Sequence, residues 1–117
     1  MKIERELLKG AAPLAVLQLL SAGPMYGYEL TKALDDRSEG LLTLGKGTLY
    51  PLLYNLEAKK FVRAAWEDGD SGRPRRYYSL TGKGKKELAR KRAQWEQLQQ
   101  GMGLVLGAPD VAPSAAC

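Results

Sequence analysis

The sequence of 117 residues contains no histidine and a single cysteine, Cys117. One cysteine cannot form an intrachain disulfide. Without histidine, and with one thiol, the chain cannot build zinc sites of the Cys/His type, Cys–His nucleophilic pairs or Ser–His–Asp triads. Most familiar catalytic and metal sites are therefore excluded, and we expect neither an enzyme nor a bound cofactor.

Long apolar runs are also missing. No uninterrupted run approaches the roughly 18 to 20 residues of a membrane-spanning helix, and the first six residues carry two acids instead of a signal-peptide apolar region. The composition, 44% hydrophobic and 26% charged, is close to that of an average folded soluble protein. We therefore expect one cytoplasmic domain that has no membrane partner.

Positive charge is concentrated in one part of the chain. Twelve of the 18 Lys and Arg residues lie within residues 59–92, which hold only four acids, whereas residues 1–58 and 93–117 each have a small acidic excess. Such a cluster favours a polyanion as partner, because each Lys or Arg that replaces a phosphate counterion adds affinity. The alternative is a basic surface that only faces solvent.

The first helical region has two interruptions. Leucines with Ala and Val between them run over residues 7–20, and Gly10 and Pro13 lie inside this run. They predict a short leading helix and a second piece that starts near Pro13. Residues 21–24 form a clear break, since glycine and proline both stop a helix.

The second and third helices each have one buried face. Apolar residues spaced by four, seven and eight positions predict a second helix that ends near Ser38. Apolar residues spaced by three, four and seven positions predict a third helix, with Pro51 in or near its first turn. The buried faces comprise Tyr26, Leu30, Ala33 and Leu34 in the second helix, and Leu49, Leu52, Leu53 and Leu56 in the third. The opposite face of the third helix shows Gly47, Pro51, Tyr54 and Ala58, flanked by Tyr50 and Asn55.

Two short strands and a long helix follow. Residues 62–67 and 75–80 predict a hairpin with a polar connection over residues 68–74. Thr81 is a good N-cap for a helix from Gly82 to about Gly101. In that helix Leu88, Trp95 and Met102 repeat every seven residues, with Leu98 and Val105 offset by three. This narrow apolar seam is typical of one long helix packed against another.

The order of these elements predicts a mainly α fold with a two-stranded β wing, namely a winged helix-turn-helix followed by a long C-terminal helix. In this arrangement the second helix of the pair enters the major groove and the hairpin lies along the flanking backbone. We divide the chain into a DNA-binding unit (1–81), a C-terminal helix (82–106), which the resemblance described next makes the dimerisation helix, and a disordered tail (107–117).

Three segments in this order closely resemble the PadR family of bacterial transcriptional regulators. They are Gly23–Leu30, Gly47–Glu57 and Gly72–Thr81, and the similarity covers roughly residues 7–100. The resemblance implies a homodimeric winged helix-turn-helix repressor whose C-terminal helix packs on the partner subunit, near that subunit's N-terminal helix. The sequence departs from the family pattern at Lys59–Phe61, where the family usually places a glycine before the strand. Its C-terminal helix is short, as in the smaller members, and does not suggest a large effector domain.

The candidate DNA-binding residues lie on the third helix and the wing. Lys46 and Thr48 can donate to phosphates beside the first-turn amides, which resembles what the family does there. Asn55 can bond an adenine edge if it faces the groove floor. The full set is Lys46, Thr48, Tyr50, Tyr54, Asn55, Arg73, Arg75 and Arg76. The alternative for Tyr50, Tyr54 and Asn55 is that they are ordinary surface residues. The basic side chains between Lys83 and Arg92 are interpreted as a solvated face that attracts DNA at long range.

Trp95 has two interpretations. On the seam with Leu88, Leu98 and Met102 it can be an interface anchor, since aromatic residues are common in buried interface cores. Some multidrug-sensing members of the PadR family look similar here, because a tryptophan on this helix stacks flat aromatic compounds between the subunits. The resemblance therefore implies a possible small aromatic effector, and plain dimer packing is the alternative.

Two hypotheses of different class follow. The first is a homodimeric repressor that binds an inverted-repeat operator in double-stranded DNA, and the second is a winged-helix adaptor that binds proteins and has little DNA affinity. The adaptor predicts a contiguous exposed apolar patch. An enzyme is a distant third, because the acids Glu67, Asp68 and Asp70 lie in an exposed turn where no burial tunes their pKa.

Overall fold

The computed structural model describes residues 3–68 and 72–107, which form a mainly α fold with a small antiparallel sheet. Cys117, the predicted tail beyond Gly107 and the tip of the wing at residues 69–71 lie outside the described residues. The elements in chain order are α1 (Arg5–Leu20), β1 (Met25–Tyr26), α2 (Gly27–Arg37), α3 (Lys46–Ala58), β2 (Val62–Asp68), β3 (Pro74–Leu80) and α4 (Gly82–Leu106). The predicted fold class is confirmed.

The first helix corrects one prediction. α1 is a single helix that contains Pro13, not two pieces. Proline in a helix interior costs about 3 kcal/mol, because the amide is missing and its ring crowds the preceding turn. α1 compensates for this cost by burying five apolar side chains, four of them beyond Pro13, and each side chain of Leu or Val size contributes about 1.5 to 3 kcal/mol. These residues are Ala12, Val16, Leu17, Leu19 and Leu20.

The second helix starts one residue later than its apolar spacing predicted. Tyr26 precedes α2 and lies in the short strand β1, which pairs with β3 through Met25–Tyr78 and Tyr26–Tyr77. The Tyr26 amide donates to Glu29 Oε1 at 3.2 Å, so the start of α2 is closed by its own third residue. The helix ends at Arg37 as expected, with Leu30 and Leu34 buried.

The sheet has three strands in the order β1-β3-β2, where the hairpin alone was predicted. Cross-strand partners in β2 and β3 run from Val62–Leu80 to Asp68–Pro74. Side chains therefore alternate: Arg76, Tyr78 and Leu80 lie on the face towards α3, and Arg75, Tyr77 and Ser79 on the other. Tyr78 is almost completely buried at the centre of the sheet.

The junction between α3 and β2 keeps its shape without the family's glycine. Lys60 has a φ of +66°, in the left-handed region that usually favours glycine. The amide of Phe61 donates to the Leu56 carbonyl and that of Lys60 to the Glu57 carbonyl, both at 2.9 Å, the bonding pattern of a Schellman motif. The departure at Lys59–Phe61 thus changes the residue that adopts the turn and leaves the turn itself intact.

The last helix covers the whole segment 82–106, beyond the point near Gly101 where its local pattern weakens. Thr81 caps it as expected, since its Oγ1 accepts from the Gly84 amide at 2.9 Å. The helix then continues through Gly101 and Gly103 to Leu106. A glycine in a helix costs only about 1 kcal/mol relative to alanine, and here good helix formers flank both glycines. Gly107, in the left-handed conformation, ends the helix.

The core lies where α1, α2, α3 and the sheet meet. Leu49, Leu53 and Leu56 of α3 contribute as predicted, whereas Leu52 is only partly buried. Leu88 is the last core residue along the chain, and α4 continues past it away from the core. Within the described residues, no helix is both long enough and apolar enough to cross a membrane.

Candidate nucleic-acid interface

The outward face of α3 is the central feature of the candidate interface. The buried leucines fix one side of the helix on the core, so the side opposite them faces solvent. That side carries small or polar groups: Gly47, Pro51, Tyr54, Asn55 and Ala58 are all exposed. A helix with this profile can approach another surface closely at Gly47, Pro51 and Ala58, where no long side chain stands between its backbone and the partner.

The start of α3 is suited to an anion. Gly45 precedes the helix in an extended conformation, Lys46 is exposed, and the first turn of α3 holds no acid. Free amides and the positive end of the helix dipole favour negative charge at such a place. Thr48 is half-buried in the same turn. The two predicted phosphate donors, Lys46 and Thr48, therefore lie together at one end of the helix.

Asn55 faces a groove between α3 and α1. The groove has a volume of about 570 Å³, and its charged lining residues are Arg5, Lys9 and the acid Glu6. Arg5 and Lys9 are exposed and place two cations beside the outward face of α3. Sequence reasoning missed both residues. Their spacing of four residues could have indicated a shared position, because it places both side chains on one side of a helix.

The two tyrosines of α3 point towards the wing and differ in exposure. Tyr50 packs on the first residue of α2: a Cβ at Gly27 would lie 2.5 Å from the Tyr50 hydroxyl oxygen. Tyr54 is 54% exposed, and its ring centroid is 6.4 Å from that of Tyr50. Tyr54 is thus the more accessible of the two to a ligand on this face.

The three arginines of the wing occupy three different environments. Arg73 is exposed near the tip. Arg75, which alternates with Arg76 along β3, lies over the ring of Tyr26, 4.5 Å from its centroid, and also lines a groove with Tyr50 and Tyr54 of α3. Arg76 lies on the other face, where its Nη2 donates to both carboxylate oxygens of Glu57, at 3.1 and 2.9 Å. The predicted cluster is therefore divided between two faces of one strand.

Arg76 also contacts the buried tyrosine of the sheet. Its Nη1 donates to Tyr78 Oη at 3.4 Å, and its guanidinium carbon lies 5.5 Å from the centre of that ring. Burial raises the pKa of the Tyr78 hydroxyl, and the adjacent Arg76 charge acts in the opposite direction. Glu57, Arg76 and Tyr78 thus form one connected polar group between α3 and β3.

Trp66 is a third residue that sequence reasoning missed. It lies directly across from Arg76 in the register of the hairpin and is 69% exposed. Together with Tyr50, Tyr54 and Arg76 it lines a groove of about 300 Å³ between α3 and the wing. The alternation of side chains along β2 could have indicated this position, since Val62, Ala64 and Trp66 share the face that points towards α3.

The predicted seam of α4 is buried at one end only. Leu88 belongs to the core, whereas Trp95, Leu98 and Met102 are 42, 54 and 45% exposed. Trp95 borders two grooves beside α1, of about 380 and 740 Å³, and Leu14 lines both. The seam therefore ends in an apolar surface without cover from the described part of its own chain.

The acids considered for an enzyme do not form a buried site. Glu67 and Asp68 are exposed at the end of β2, and Asp70 lies outside the described residues. Among residues 3–68 and 72–107, no group of three or more potential metal-ligating side chains comes together.

Comparisons with known proteins match this geometry. The model of the family described as "Transcriptional regulator PadR-like family" matches residues 16–90. A PadR family regulator from Eggerthella lenta is 38% identical over 86% of this chain and 82% of its own, with a TM-score of 0.73. A transcriptional regulator from Clostridium thermocellum has a TM-score of 0.77 and 26% identity over 84% of this chain and 95% of its own. The transcriptional regulator YqjI of Escherichia coli is 30% identical over 78% of this chain, which spans only 42% of that protein.

Proposed function

Since the chain belongs to the PadR-like family of DNA-binding transcriptional regulators, which are not enzymes, we propose that it is a homodimeric repressor of an inverted-repeat operator. Residues 1–81 would bind DNA and the helix over residues 82–106 would join the subunits. Its place would be the cytoplasm, where a bacterial regulator meets DNA.

One observation supports DNA binding above the others: the outward face of α3 is free of acidic and bulky aliphatic side chains and is bordered by cations on two sides. Arg5 and Lys9 lie on the α1 side, and Arg73 and Arg75 lie on the wing. We assign base contacts to Tyr54 and Asn55, with Tyr50 beside them. Phosphate contacts fall to Lys46 and Thr48 at the start of α3 and, among the wing arginines, to Arg73 and Arg75.

The proposed dimer rests on the outer part of α4. Trp95, Leu98 and Met102 present apolar surface on one side of the helix, and a second copy would cover it. A two-fold axis would then place two α3 helices about 34 to 36 Å apart, so half-sites would be about 10 base pairs apart from centre to centre.

Trp95 supports a possible effector site at that interface. Trp95 lines both grooves beside α1, and a planar aromatic compound could stack there between the subunits. The competing role for Trp95 is packing alone. A Trp95→Leu variant that keeps the dimer and its DNA affinity but loses binding of a planar dye would favour the effector site.

A charge-matched pair of variants tests the DNA-binding role of the wing. Arg73→Gln/Arg75→Gln removes two wing charges, and Lys85→Gln/Lys86→Gln removes two from the exposed side of α4. Binding of random duplex, followed by fluorescence anisotropy over a salt series, gives a log–log slope of about −0.9 for each phosphate contact. We expect the wing variant to bind more weakly and to lose about one to two units of slope per subunit, and the α4 variant to lose less.

Two outcomes contradict the proposal. An unchanged slope in the wing variant would remove the wing from the interface. Absence of binding by the unmodified protein in dilute buffer would favour the protein-binding adaptor. Asn55→Ala tests base reading separately, since losing a base contact should relax preference at one position by about 1 to 3 kcal/mol. A uniform loss over all sequences would instead assign Asn55 to the backbone.

A further inference from the structure

The ion pair between Glu57 and Arg76 connects the two elements that the proposed function brings to DNA. Glu57 is in the last turn of α3, and Arg76 is on β3, 19 residues further along the chain. Arg76 Nη2 lies 3.1 and 2.9 Å from the two carboxylate oxygens. No other ion pair within the described residues joins α3 to the wing: those between Lys32 and Asp36 and from Glu87 to Arg90 and Lys91 each lie within one helix.

The pair is held in place from the sheet side. Arg76 also donates to the hydroxyl of Tyr78 at 3.4 Å and lies over its ring. Tyr78 is 1% exposed and cannot move without opening the core. Both charged side chains are only 32% exposed, so the ion pair is screened less than one on the open surface. The contact therefore fixes the end of α3 to the central strand of the sheet.

Arg76 differs in this respect from its two neighbours. Arg73 is exposed and Arg75 stacks on a tyrosine ring, but the Nη2 donor of Arg76 is directed at a carboxylate. A phosphate bound at the same Nη2 would have to displace that carboxylate, and one bound elsewhere on the guanidinium would lie beside the negative charge of Glu57. This arrangement suits a group that orients the wing better than one that binds DNA.

We infer that Glu57 and Arg76 are positioning residues, which set the angle between α3 and the β2–β3 wing so that both reach one duplex, and that Arg76 is not a phosphate contact. The inference rests on the proposed DNA-binding function and replaces the expectation that all three wing arginines bind phosphate. Specific binding needs α3 and the wing to engage together, whereas non-specific binding depends on charge and tolerates a displaced wing.

Removing the charge of Glu57 distinguishes a positioning role from phosphate binding, because the two roles predict opposite changes in affinity for the specific site. Glu57→Gln deletes a negative charge near the proposed DNA-binding face. If Arg76 binds phosphate, this variant should bind all DNA more tightly, since the competing carboxylate is gone. If the pair positions the wing, the same variant should bind the specific site about tenfold more weakly, although the protein has become more positive. Binding to scrambled DNA should stay equal or become tighter.

The experiment uses the full chain and two duplexes of about 30 base pairs, long enough for two half-sites. One duplex is enriched from a randomised pool by the unmodified protein, and the other is its scrambled counterpart. Glu57→Gln, Arg76→Gln and the double variant are compared by anisotropy, at a temperature where circular dichroism shows each to be folded. The loss in the double variant should be smaller than the product of the two single losses, since both remove the same contact.

The charge-reversed variant Glu57→Arg/Arg76→Glu covers the case in which a single variant does not fold. It keeps the ion pair and the net charge, so we expect it to recover specific binding to within about threefold. Equal or tighter specific binding by Glu57→Gln overturns the inference, as does a folded charge-reversed variant that fails to bind the selected duplex. If the unmodified protein enriches no duplex at all, the proposed function itself fails.

Discussion

The body of the molecule, residues 12–88, and the outer part of α4, residues 89–106, differ in how far they bury their apolar side chains. From Ala12 to Leu88, 14 hydrophobic side chains form one core. Beyond Leu88, no described residue of α4 is buried, although Trp95, Leu98, Met102, Leu104, Val105 and Leu106 are all apolar. The same kinds of residue thus serve internal packing in one region and remain uncovered in the other.

This difference separates what one chain can stabilise alone from what needs a partner. An isolated helix is marginal in water, and most helical stability in proteins comes from packing an apolar face. The body supplies that packing for α1, α2, α3 and the first turns of α4. The outer part of α4 has an apolar side without an internal counterpart, which is the physical basis of the proposed dimer.

The largest effect should come from shortening a core leucine. Leu53 is fully buried in α3, and Leu53→Ala should lower the free energy of unfolding by about 3 kcal/mol through lost burial and a cavity. Leu104→Ala, at an 80% exposed site of α4, should change it by less than about 0.5 kcal/mol. Denaturant unfolding at one fixed protein concentration measures both. Similar losses in the two variants would erase the contrast between the regions.

Two glycines of α4 test the same contrast within one helix. A Cβ at Gly84 would collide with the Phe61 carbonyl oxygen and lie 2.8 Å from Leu80 Cδ1, so Gly84→Ala should destabilise by about 2 kcal/mol. Gly101 has nothing within 4 Å of such a Cβ. Gly101→Ala should therefore stabilise by about 0.5 to 1 kcal/mol, because alanine loses less backbone entropy. Thermal unfolding gives the sign of each change, and a destabilised Gly101→Ala would mean that another surface contacts this site.

The outer part of α4 has its own test in the association of subunits. Leu98→Ser changes the seam, whereas Leu104→Ser changes a leucine two residues beyond Met102, on nearly the opposite side of the helix. We expect Leu98→Ser to raise the dimer dissociation constant at least tenfold, or about 1.4 kcal/mol, and Leu104→Ser to leave it nearly unchanged. Sedimentation equilibrium measures both constants. Equal effects would place the interface elsewhere.

The smallest predicted change in stability concerns the junction between α3 and β2. Lys60 holds a left-handed conformation, which costs a side-chain-bearing residue roughly 1 to 2 kcal/mol. Lys60→Gly should stabilise the body by about 0.5 to 1 kcal/mol, after allowance for the greater freedom of glycine in the unfolded chain. Lys59→Gly is the control: Lys59 has a φ of −81°, so glycine there should destabilise. Denaturant midpoints compare the two, and a loss in Lys60→Gly would assign Lys60 a contact of its own.

Local patterns were sufficient for much of the fold. The leucine spacing of α3, the cap at Thr81 and the aromatic strands of the hairpin were all found where predicted. The errors fell where distant contacts compete with local preference. Pro13 lies inside a continuous α1 because the downstream half of that helix is anchored in the core, and Tyr26 lies in a strand because β3 is available to pair with it.

For the candidate site, residue types were predictable and their roles were not. Three arginines within four residues indicated a basic wing, but only the alternation of β3 directs Arg75 and Arg76 to opposite faces. Nothing local to residue 76 indicates that Glu57 will be its partner. Trp66, Arg5 and Lys9 were missed because each belongs to the interface through elements that approach one another only after folding.

The amino-acid sequence by itself determined the order of helices and strands, the leucine core of α3 and the concentration of positive charge, since these follow from periodicity, turn chemistry and composition. Only the tertiary structure decided which cations face outward, which arginine joins α3 to the sheet and how much of α4 remains uncovered. Those properties depend on distances between segments far apart in the chain, and such distances are set by packing and not by neighbours in sequence.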